Sequence, residues 1–310
     1  MRVILLPLSL SLIFGLGLCT APSQLAPQSR TPTSPPHEVV YRNYNLPKAV
    51  VHLVKIPQHP HYLMYPLVAD GLMTVDKFAQ QDQPPPGDGE QSPSSRPTTI
   101  AVLNAGYFDP MNQQTTSYIQ INGKVQADPQ QNARLMENPD LQTYLPKILN
   151  RSEFRQYQCG KTLQYAITPH QDPLPPSCQL RYALGAGPQL LPELTLQAEG
   201  FTDTVNGQVI RDAIGSSQPN ARSAIALTQN GDILWVMVEQ QSSAQPGLSL
   251  PALANFLKQQ GAKTALNLDG GSSSALVYQG KVYAGQTDPS GQSRVRPVKS
   301  VLILQEKASQ

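Results

Sequence analysis

Short apolar runs separated by tight-turn signals recur along most of the chain. Four such signals stand between these runs: Asn122-Gly123, Asn206-Gly207, Asn230-Gly231 and Gln279-Gly280. Asn-Gly is typical of the two-residue turn in which both central residues need positive φ. The pattern therefore predicts β-hairpins, with strands at 49–56, 99–103, 223–227, 233–238, 275–278 and 281–283.

Helical spacing is confined to a few segments. Apolar residues recur on one face of 251–260, where Pro251 suits the first turn and Gly261 suits the end of a helix. Shorter helices are predicted at 74–80, opened by Thr74, and within 138–156. Antiparallel strands with few helices indicate the α+β class, here a mainly antiparallel mixed β-sheet in a single domain.

The first 21 residues have the pattern of a secretory signal. Met1-Arg2 precedes an apolar run that ends at Leu18. This run is shorter than the ~20 residues that span a bilayer, so we expect a removed signal rather than an anchor. Lipidation at Cys19 is the open alternative, disfavoured because Leu18 stands where a small residue is expected. Export predicts a secreted, periplasmic or cell-surface protein.

Composition changes this picture in two places. Of the 30 Pro in 310 residues, ten lie in two segments, 21–36 and 80–97, that lack apolar periodicity. We interpret the first as part of a linker at 22–37 and the second as a loop inserted into the domain. The remaining chain then forms one domain at 38–306.

Charge and cysteine usage narrow the function classes. The 23 Lys and Arg residues against 21 Asp and Glu give a net charge of +2, which excludes a strongly basic nucleic-acid binder. Outside the signal only Cys159 and Cys178 remain. In an oxidising compartment they are predicted to form a disulfide, with two buried free thiols as the alternative.

The densest candidate site follows a predicted strand that ends at Asp269. The next residues are Gly270, Gly271, Ser272 and Ser273. A glycine-rich run of backbone N–H groups beside hydroxyls can cradle a phosphate, and the preceding carboxylate can act as acid, base or metal ligand. An ordinary turn between strands is the alternative interpretation.

Residues in three further segments suit the same chemistry. Asn104 ends another strand, and Tyr107 and Phe108 behind it suit a stacking wall for a sugar or a pair of core aromatics. Arg222 opens a strand, where its guanidinium suits either a phosphate or a surface ion pair. Arg296 precedes the last strand.

These motifs, in this order, resemble the phosphodiester glycosidase domain family over roughly residues 39–304. The segment 267–273 resembles the signature loop of the family, and 104–108, 184–190, 221–225, 245–254, 257–261, 288–291 and 296–298 resemble its other motifs. The chain departs from the family at Ala105 and Ser272, which replace Gly. It also carries Glu239-Gln240-Gln241 where the family often has Asp-Gly-Arg.

The resemblance implies a hydrolase that cleaves a sugar-1-phosphodiester of the N-acetylglucosamine-1-phosphate type in a surface or exopolysaccharide glycan. Asp269, Asn104 and Arg222 are then the expected catalytic residues. The expected substrate-binding residues are Gly270, Gly271, Ser272, Ser273, Tyr107, Phe108 and Arg296. A second carboxylate stays open among Asp109, Glu239 and Asp288.

Other functions remain open at this point. A hard cation such as Ca²⁺ or Mg²⁺ would suit an Asp/Asn/carbonyl site, but the sequence defines no ligand set. A non-catalytic glycan-binding or polysaccharide-assembly protein on the same fold is the main alternative, since a fold does not fix a function. A hydrolase with a serine nucleophile at 272–274 is a third reading.

Overall fold

A computed structural model describes residues 38–81, 97–288, 290 and 292–307. The expected signal at 1–21, the linker at 22–37 and nearly all of the inserted loop at 80–97 lie outside the described residues. The boundaries of the domain at 38–306 stay a prediction.

Strands dominate the described chain. In order they are β1 Val40–Leu46, β2 Ala49–Ile56, β3 Tyr62–Met73, β4 Thr98–Asn104, β5 Ile119–Ile121, β6 Lys124–Ala127, β7 Ser152–Cys159, β8 Thr162–Pro169, β9 Cys178–Gly185, β10 Gln189–Leu191, β11 Thr202–Val205, β12 Gln208–Asp212, β13 Arg222–Thr228, β14 Ile233–Val238, β15 Ala262–Asn267, β16 Ala275–Tyr278, β17 Lys281–Ala284, β18 Gln286–Thr287, β19 Ser293–Arg294 and β20 Val298–Glu306. The helices are α1 Val75–Gln80, α2 Ala133–Met136, α3 Leu145–Ile148 and α4 Leu250–Gln259.

The longer strands form three sheets. Sheet 1 has the order β1-β2-β14-β13-β15-β10, sheet 2 the order β17-β16-β4-β20-β3, and sheet 3 the order β6-β5-β9-β7-β8. Neighbouring strands in each sheet pair antiparallel. The hairpins β11-β12 and β18-β19 stand apart from these sheets. The predicted α+β class with mainly antiparallel strands is therefore confirmed.

The predicted turns connect paired strands in the structure. Asn122-Gly123, Asn206-Gly207 and Gln279-Gly280 have positive φ at both residues, as a tight hairpin turn requires. At Asn230-Gly231 only Gly231 has positive φ. The β13-β14 connection is therefore a longer turn, closed by the bond from Thr228 N to Asp232 O at 2.9 Å.

The helices predicted at 251–260 and 74–80 are confirmed as α4 and α1, and the one predicted within 138–156 is the short α3. Helix α4 begins after Ser249, whose hydroxyl accepts a hydrogen bond from Ala252 N, and ends before Gly261. After α3 the chain enters β7 at Ser152, which the sequence did not predict. Backbone pairing with β8 and β9 overrides helical spacing there, and it buries Phe154 in the core.

Strand β14 shows how the layers are built. Ile233, Trp235 and Met237 point into a core that residues of all three sheets share. The alternate residues of β14 point to the other face of sheet 1, where α4 packs with Leu253 and Leu257. Because both faces are covered, all six residues of β14 are buried.

The structure confirms the disulfide between Cys159 and Cys178. These residues face each other in the register of β7 and β9, at the end of that strand pair. The bond closes a loop that spans 19 positions of sequence and contains β8.

We expect the double substitution Cys159→Ser/Cys178→Ser to lower the free energy of unfolding by about 3 kcal/mol, because the open chain regains loop entropy. Urea denaturation without reductant measures this loss. Wild-type protein in reductant should match the variant, and equal midpoints for oxidised wild type and variant would contradict the prediction.

Candidate functional site

The predicted site residues gather where strands β4 and β15 end and strands β13, β16 and β20 begin. Asp269 lies just beyond β15, and its N–H donates to Ala105 O at 2.9 Å, just beyond β4. Leu268 N donates to Ser223 O in β13 at 2.8 Å. Two strand ends from different sheets are therefore joined directly below the glycine-rich loop.

Asn104 ties these strand ends together from inside. Its side chain is 0% exposed, and its Nδ2 donates to Asp269 O at 2.6 Å. Its Oδ1 accepts from the Ser223 hydroxyl at 2.6 Å and from Ala275 N at 3.0 Å. Asn104 thus fixes the backbone of Asp269 and has no contact with solvent, which suits a positioning residue.

Asp269 is a half-buried residue just beyond β15. Desolvation by the surrounding protein raises the pKa of Asp269 to about 6. Hydrogen bonds from Ser273 and from Gly270 N, and the charge of Arg296, lower the pKa and only partly offset desolvation. Both protonation states of Asp269 are therefore populated close to neutral pH, as acid–base chemistry requires.

The glycine-rich loop is folded back on itself. Gly271, at a φ of +59°, opens a 3₁₀ turn, and its N–H donates to Ala221 O at 2.8 Å. Gly270 N donates to the Asp269 carboxylate, and Ser273 N donates to Gly270 O at 3.1 Å. All three N–H groups donate to protein oxygens, and their expected role as a phosphate cradle stays an untested prediction.

Arg222 lies under the loop rather than at its surface. It is 2% exposed, and four of its five N–H donors are directed at backbone carbonyl oxygens. The acceptors are the carbonyl oxygens of Leu248, Ile214, Gly215 and Gln218, at 2.7–3.1 Å. This geometry gives Arg222 a supporting role, and its direct contact with a phosphate remains an untested prediction.

Arg296 is the guanidinium that acts on the Asp269 carboxyl. Its Nη1 donates to the Ser272 hydroxyl at 2.9 Å, and its guanidinium carbon lies 5.5 Å from the centre of the Phe108 ring. The side chain is partly exposed, and its charge lowers the pKa of Asp269. It can therefore meet an anionic group that binds beside Asp269.

Tyr107 and Phe108 do not form one aromatic wall. Tyr107 packs on the core shared by the three sheets, whereas Phe108 packs on a separate cluster below sheet 2. Tyr107 donates its hydroxyl hydrogen to Gly187 O at 2.9 Å, and burial and the charge of Asp269 raise its pKa. Successive side chains of an extended segment point to opposite sides, which separates the two rings.

The structure adds residues that the sequence did not single out. Asn267, 1% exposed, donates from Nδ2 to the Tyr107 hydroxyl at 2.7 Å. Arg151 lies over the Phe201 ring at 3.7 Å, and burial lowers its pKa to about 10. Asn267 lies within the motif 267–273, so the sequence offered a signal for it. No motif in the sequence pointed to Arg151.

The three candidates for a second carboxylate each have partners of their own. Asp109 accepts from Arg134 Nε at 2.8 Å, and Glu239 contacts His52 Nε2 at 2.6 Å. Asp288 accepts from Ser290 N and Gln292 N, which help lower its pKa. The choice among them stays open.

Within the described residues, no three His, Cys, Asp or Glu side chains cluster as metal ligands, and the need for a cation stays a prediction. No helix in the same residues has the length and apolarity to cross a membrane.

Solved structures share this fold. The catalytic domain of zebrafish N-acetylglucosamine-1-phosphodiester alpha-N-acetylglucosaminidase, auto-inhibited by its pro-peptide, is 18% identical with a TM-score of 0.60, over 90% of this chain and 86% of that one. A hypothetical protein from Synechocystis is 18% identical with a TM-score of 0.55, over 89% of this chain and 64% of that one. The chain therefore spans just under two thirds of the Synechocystis protein.

A third solved structure also shares the fold, and one family model matches the sequence. A putative exported protein from Burkholderia pseudomallei is 14% identical with a TM-score of 0.51, over 83% of this chain and 74% of that one. No functionally curated protein matches the sequence. Residues 97–305 match the family model for phosphodiester glycosidases. Because this match spans about two thirds of the 310 residues, the chain belongs to the phosphodiester glycosidase family.

Proposed function

We propose that this protein is an exported glycoside hydrolase that cleaves a sugar-1-phosphodiester, of the N-acetylglucosamine-1-phosphate type, in a surface or exopolysaccharide glycan. Membership of the family supports hydrolysis of phosphodiester glycosyl linkages. The observation that carries the proposal is the half-buried Asp269, whose carboxyl has a raised pKa, together with the nearby charge of Arg296.

The bond to be broken joins C1 of the sugar to a phosphate oxygen. The phosphate leaves as a monoester that already carries negative charge, so it needs charge neutralisation more than a proton. Arg296 supplies the positive charge that neutralises the leaving phosphate. Positive charge develops on the sugar ring as the bond breaks, and water adds at C1. Asp269 in its carboxylate form stabilises this state and accepts the proton of the attacking water.

Asn104 and Arg222 act through other groups in this scheme. Asn104 holds the backbone of Asp269, and Arg222 ties the segment at 214–218 and Leu248 to the start of β13. Both contacts fix where the carboxyl stands relative to a bound sugar. Misplacing a reacting group by about 1 Å is enough to reduce the rate about 100-fold.

A non-catalytic glycan-binding protein on the same fold is the second candidate. The burial of Arg222 and the internal use of the loop N–H groups favour it, because both remove expected contacts with a phosphate. A substrate screen separates the candidates. Purified protein is incubated with N-acetylglucosamine-1-phosphate methyl ester and with other sugar-1-phosphodiesters, with and without EDTA, and released sugar is measured.

We expect the N-acetylglucosamine diester to be hydrolysed, and N-acetylglucosamine-1-phosphate itself to serve as the negative control. Binding of these esters without any release of sugar would favour the second candidate. Activity that is lost in EDTA and restored by Ca²⁺ or Mg²⁺ would establish the cation requirement.

Asp269→Asn is expected to lower kcat by at least about 100-fold, because the amide cannot accept the proton.

The Asp269→Asn change should also stabilise the fold at high pH. Since the pKa of Asp269 rises from 3.8 to about 6 on folding, the ionised carboxyl destabilises the wild type as pH rises through this range. Thermal unfolding at pH 4 and pH 8 should show the variant gaining stability relative to wild type. Full activity in a folded variant would exclude the assigned role.

The pH dependence of kcat/KM tests the protonation state. A required carboxylate predicts a rate that rises about tenfold per pH unit below the pKa of Asp269, about 6, and levels off above it. Residual activity of Asp269→Asn should lack this limb. A rate that instead falls as pH rises through 6 would make Asp269 the proton donor.

Arg296→Ala is expected to reduce kcat/KM by about 100-fold or more, because the charge that meets the leaving phosphate is lost. Arg294→Ala provides a matched control, since Arg294 is an exposed arginine two positions away in β19. Steady-state kinetics on the methyl ester compares the two. Equal effects of both substitutions would show that only the net charge of the region matters.

A further inference from the structure

A second feature of the same end of the molecule is an open pocket of about 580 Å³. Its wall includes Gln240, Gln241, Ser242, Ser243 and Gln286. This volume falls within the range of about 300–1,000 Å³ that is usual for small-molecule sites. None of the residues assigned above to the sugar or the phosphate lines it.

The pocket is connected to the Asp269 loop through two side chains, those of Gln286 and Asn220. Gln286 Nε2 donates to Gln240 Oε1 at 2.7 Å and to Asn220 Oδ1 at 3.4 Å. The amide group of Asn220 in turn lies against Gly271, 3.8 Å from where a Cβ on that glycine would stand. A ligand in the pocket is therefore a neighbour of whatever binds at the loop.

A chain of hydrogen bonds runs from the pocket wall into the fold. The Gln241 side-chain amide donates to the Glu239 carboxylate, whose other oxygen contacts His52 Nε2 at 2.6 Å. His52 is 2% exposed, and its Nδ1 contacts the Tyr41 hydroxyl at 2.7 Å. The wall glutamine thus ends a chain of polar groups anchored in the fold, which reduces the entropy lost when a ligand binds.

The chemistry of the wall selects a neutral ligand. Carboxamides and hydroxyls offer both donors and acceptors, as the hydroxyl groups of a sugar require. The eight lining residues include no Lys, Arg or His, and Asp288 is their one charged member. The Asp288 carboxylate already accepts from Ser290 N at 2.9 Å and from Gln292 N at 3.0 Å. A phosphate would find no counter-charge on this wall.

We propose that this pocket is a subsite for a neutral saccharide unit of the same glycan, next to the bond cleaved at Asp269. The inference rests on the proposed function for its place in the reaction. It extends that function by making the substrate an oligosaccharide phosphodiester rather than a small sugar phosphate ester.

Binding is measured first, without any reaction. The ¹H–¹⁵N signals of glutamine side-chain amides are followed while the labelled protein is titrated with chitotriose, maltotriose, mannotriose or inorganic phosphate. The signal that disappears in Gln286→Ala identifies that amide in wild type. We expect at least one trisaccharide to shift it, and phosphate to leave it in place. Gln286→Ala should weaken the trisaccharide at least fivefold, as followed on the other shifted signals.

Gln208→Ala is the matched control, because Gln208 is an exposed glutamine of β12 that does not line the pocket. It should bind the trisaccharide as wild type does. A pocket that responds to no trisaccharide, or that responds to phosphate equally well, would overturn the proposal.

Kinetics then tests the link to the reaction. Two N-acetylglucosamine-1-phosphodiesters are compared, one esterified to methanol and one to the trisaccharide that binds. We expect Gln286→Ala to raise KM for the trisaccharide ester at least fivefold more than KM for the methyl ester, and an equal change in both would overturn the link. If wild type hydrolyses neither ester, the proposed function fails, and the binding measurement alone decides whether the subsite exists.

Discussion

The hydrogen bonds of the Asn104 side chain are the constraint on which the site depends. One buried amide joins the end of β4 to the backbone of Asp269, to Ser223 at the start of β13 and to Ala275 at the start of β16. These segments belong to sheets 1 and 2, so the amide couples two layers of the fold where their strand ends meet. Loss of this amide would leave buried donors and acceptors unpaired, at about 1–3 kcal/mol each. The position of the Asp269 backbone is therefore part of the stability of the core.

The same strand ends hold the Asp269 carboxyl where burial disfavours its charged form. Desolvation raises the pKa of Asp269 to about 6 although Ser273, Gly270 and Arg296 all oppose the rise. A site that only needed a stable turn would not retain such a group, since an asparagine could accept the same bond from Gly270 N. Perturbed groups of this kind cluster at functional sites, which is the physical basis for assigning Asp269 to the chemistry.

The sequence predicts the features that depend on short-range rules. Helix α4, the hairpin turns and the pairing of Cys159 with Cys178 follow from capping, turn chemistry and redox environment, and all three are confirmed. It could not predict which side of a strand end each polar group would face. Arg222 opens its strand as expected, yet its guanidinium donates to backbone oxygens of the preceding loop at 214–218 and of Leu248. The sequence predicts the helix within 138–156 but misses strand β7, because the strands that pair with β7, at 162–169 and 178–185, leave no local pattern in that segment.

The near-neutral net charge of the chain agrees with the few charged groups that the proposed site needs. In the proposed function, the phosphodiester carries one negative charge and the partly exposed Arg296 supplies the cation that meets it. The residues that line the neighbouring pocket include Gln240 and Gln241 and no cation. The positive charge proposed for the phosphate therefore comes from Arg296, while the pocket wall is suited to hydroxyl groups. Such a division favours a long, mostly neutral glycan with a single charged linkage over a polyanionic substrate, because each additional phosphate would meet an uncompensated polar wall.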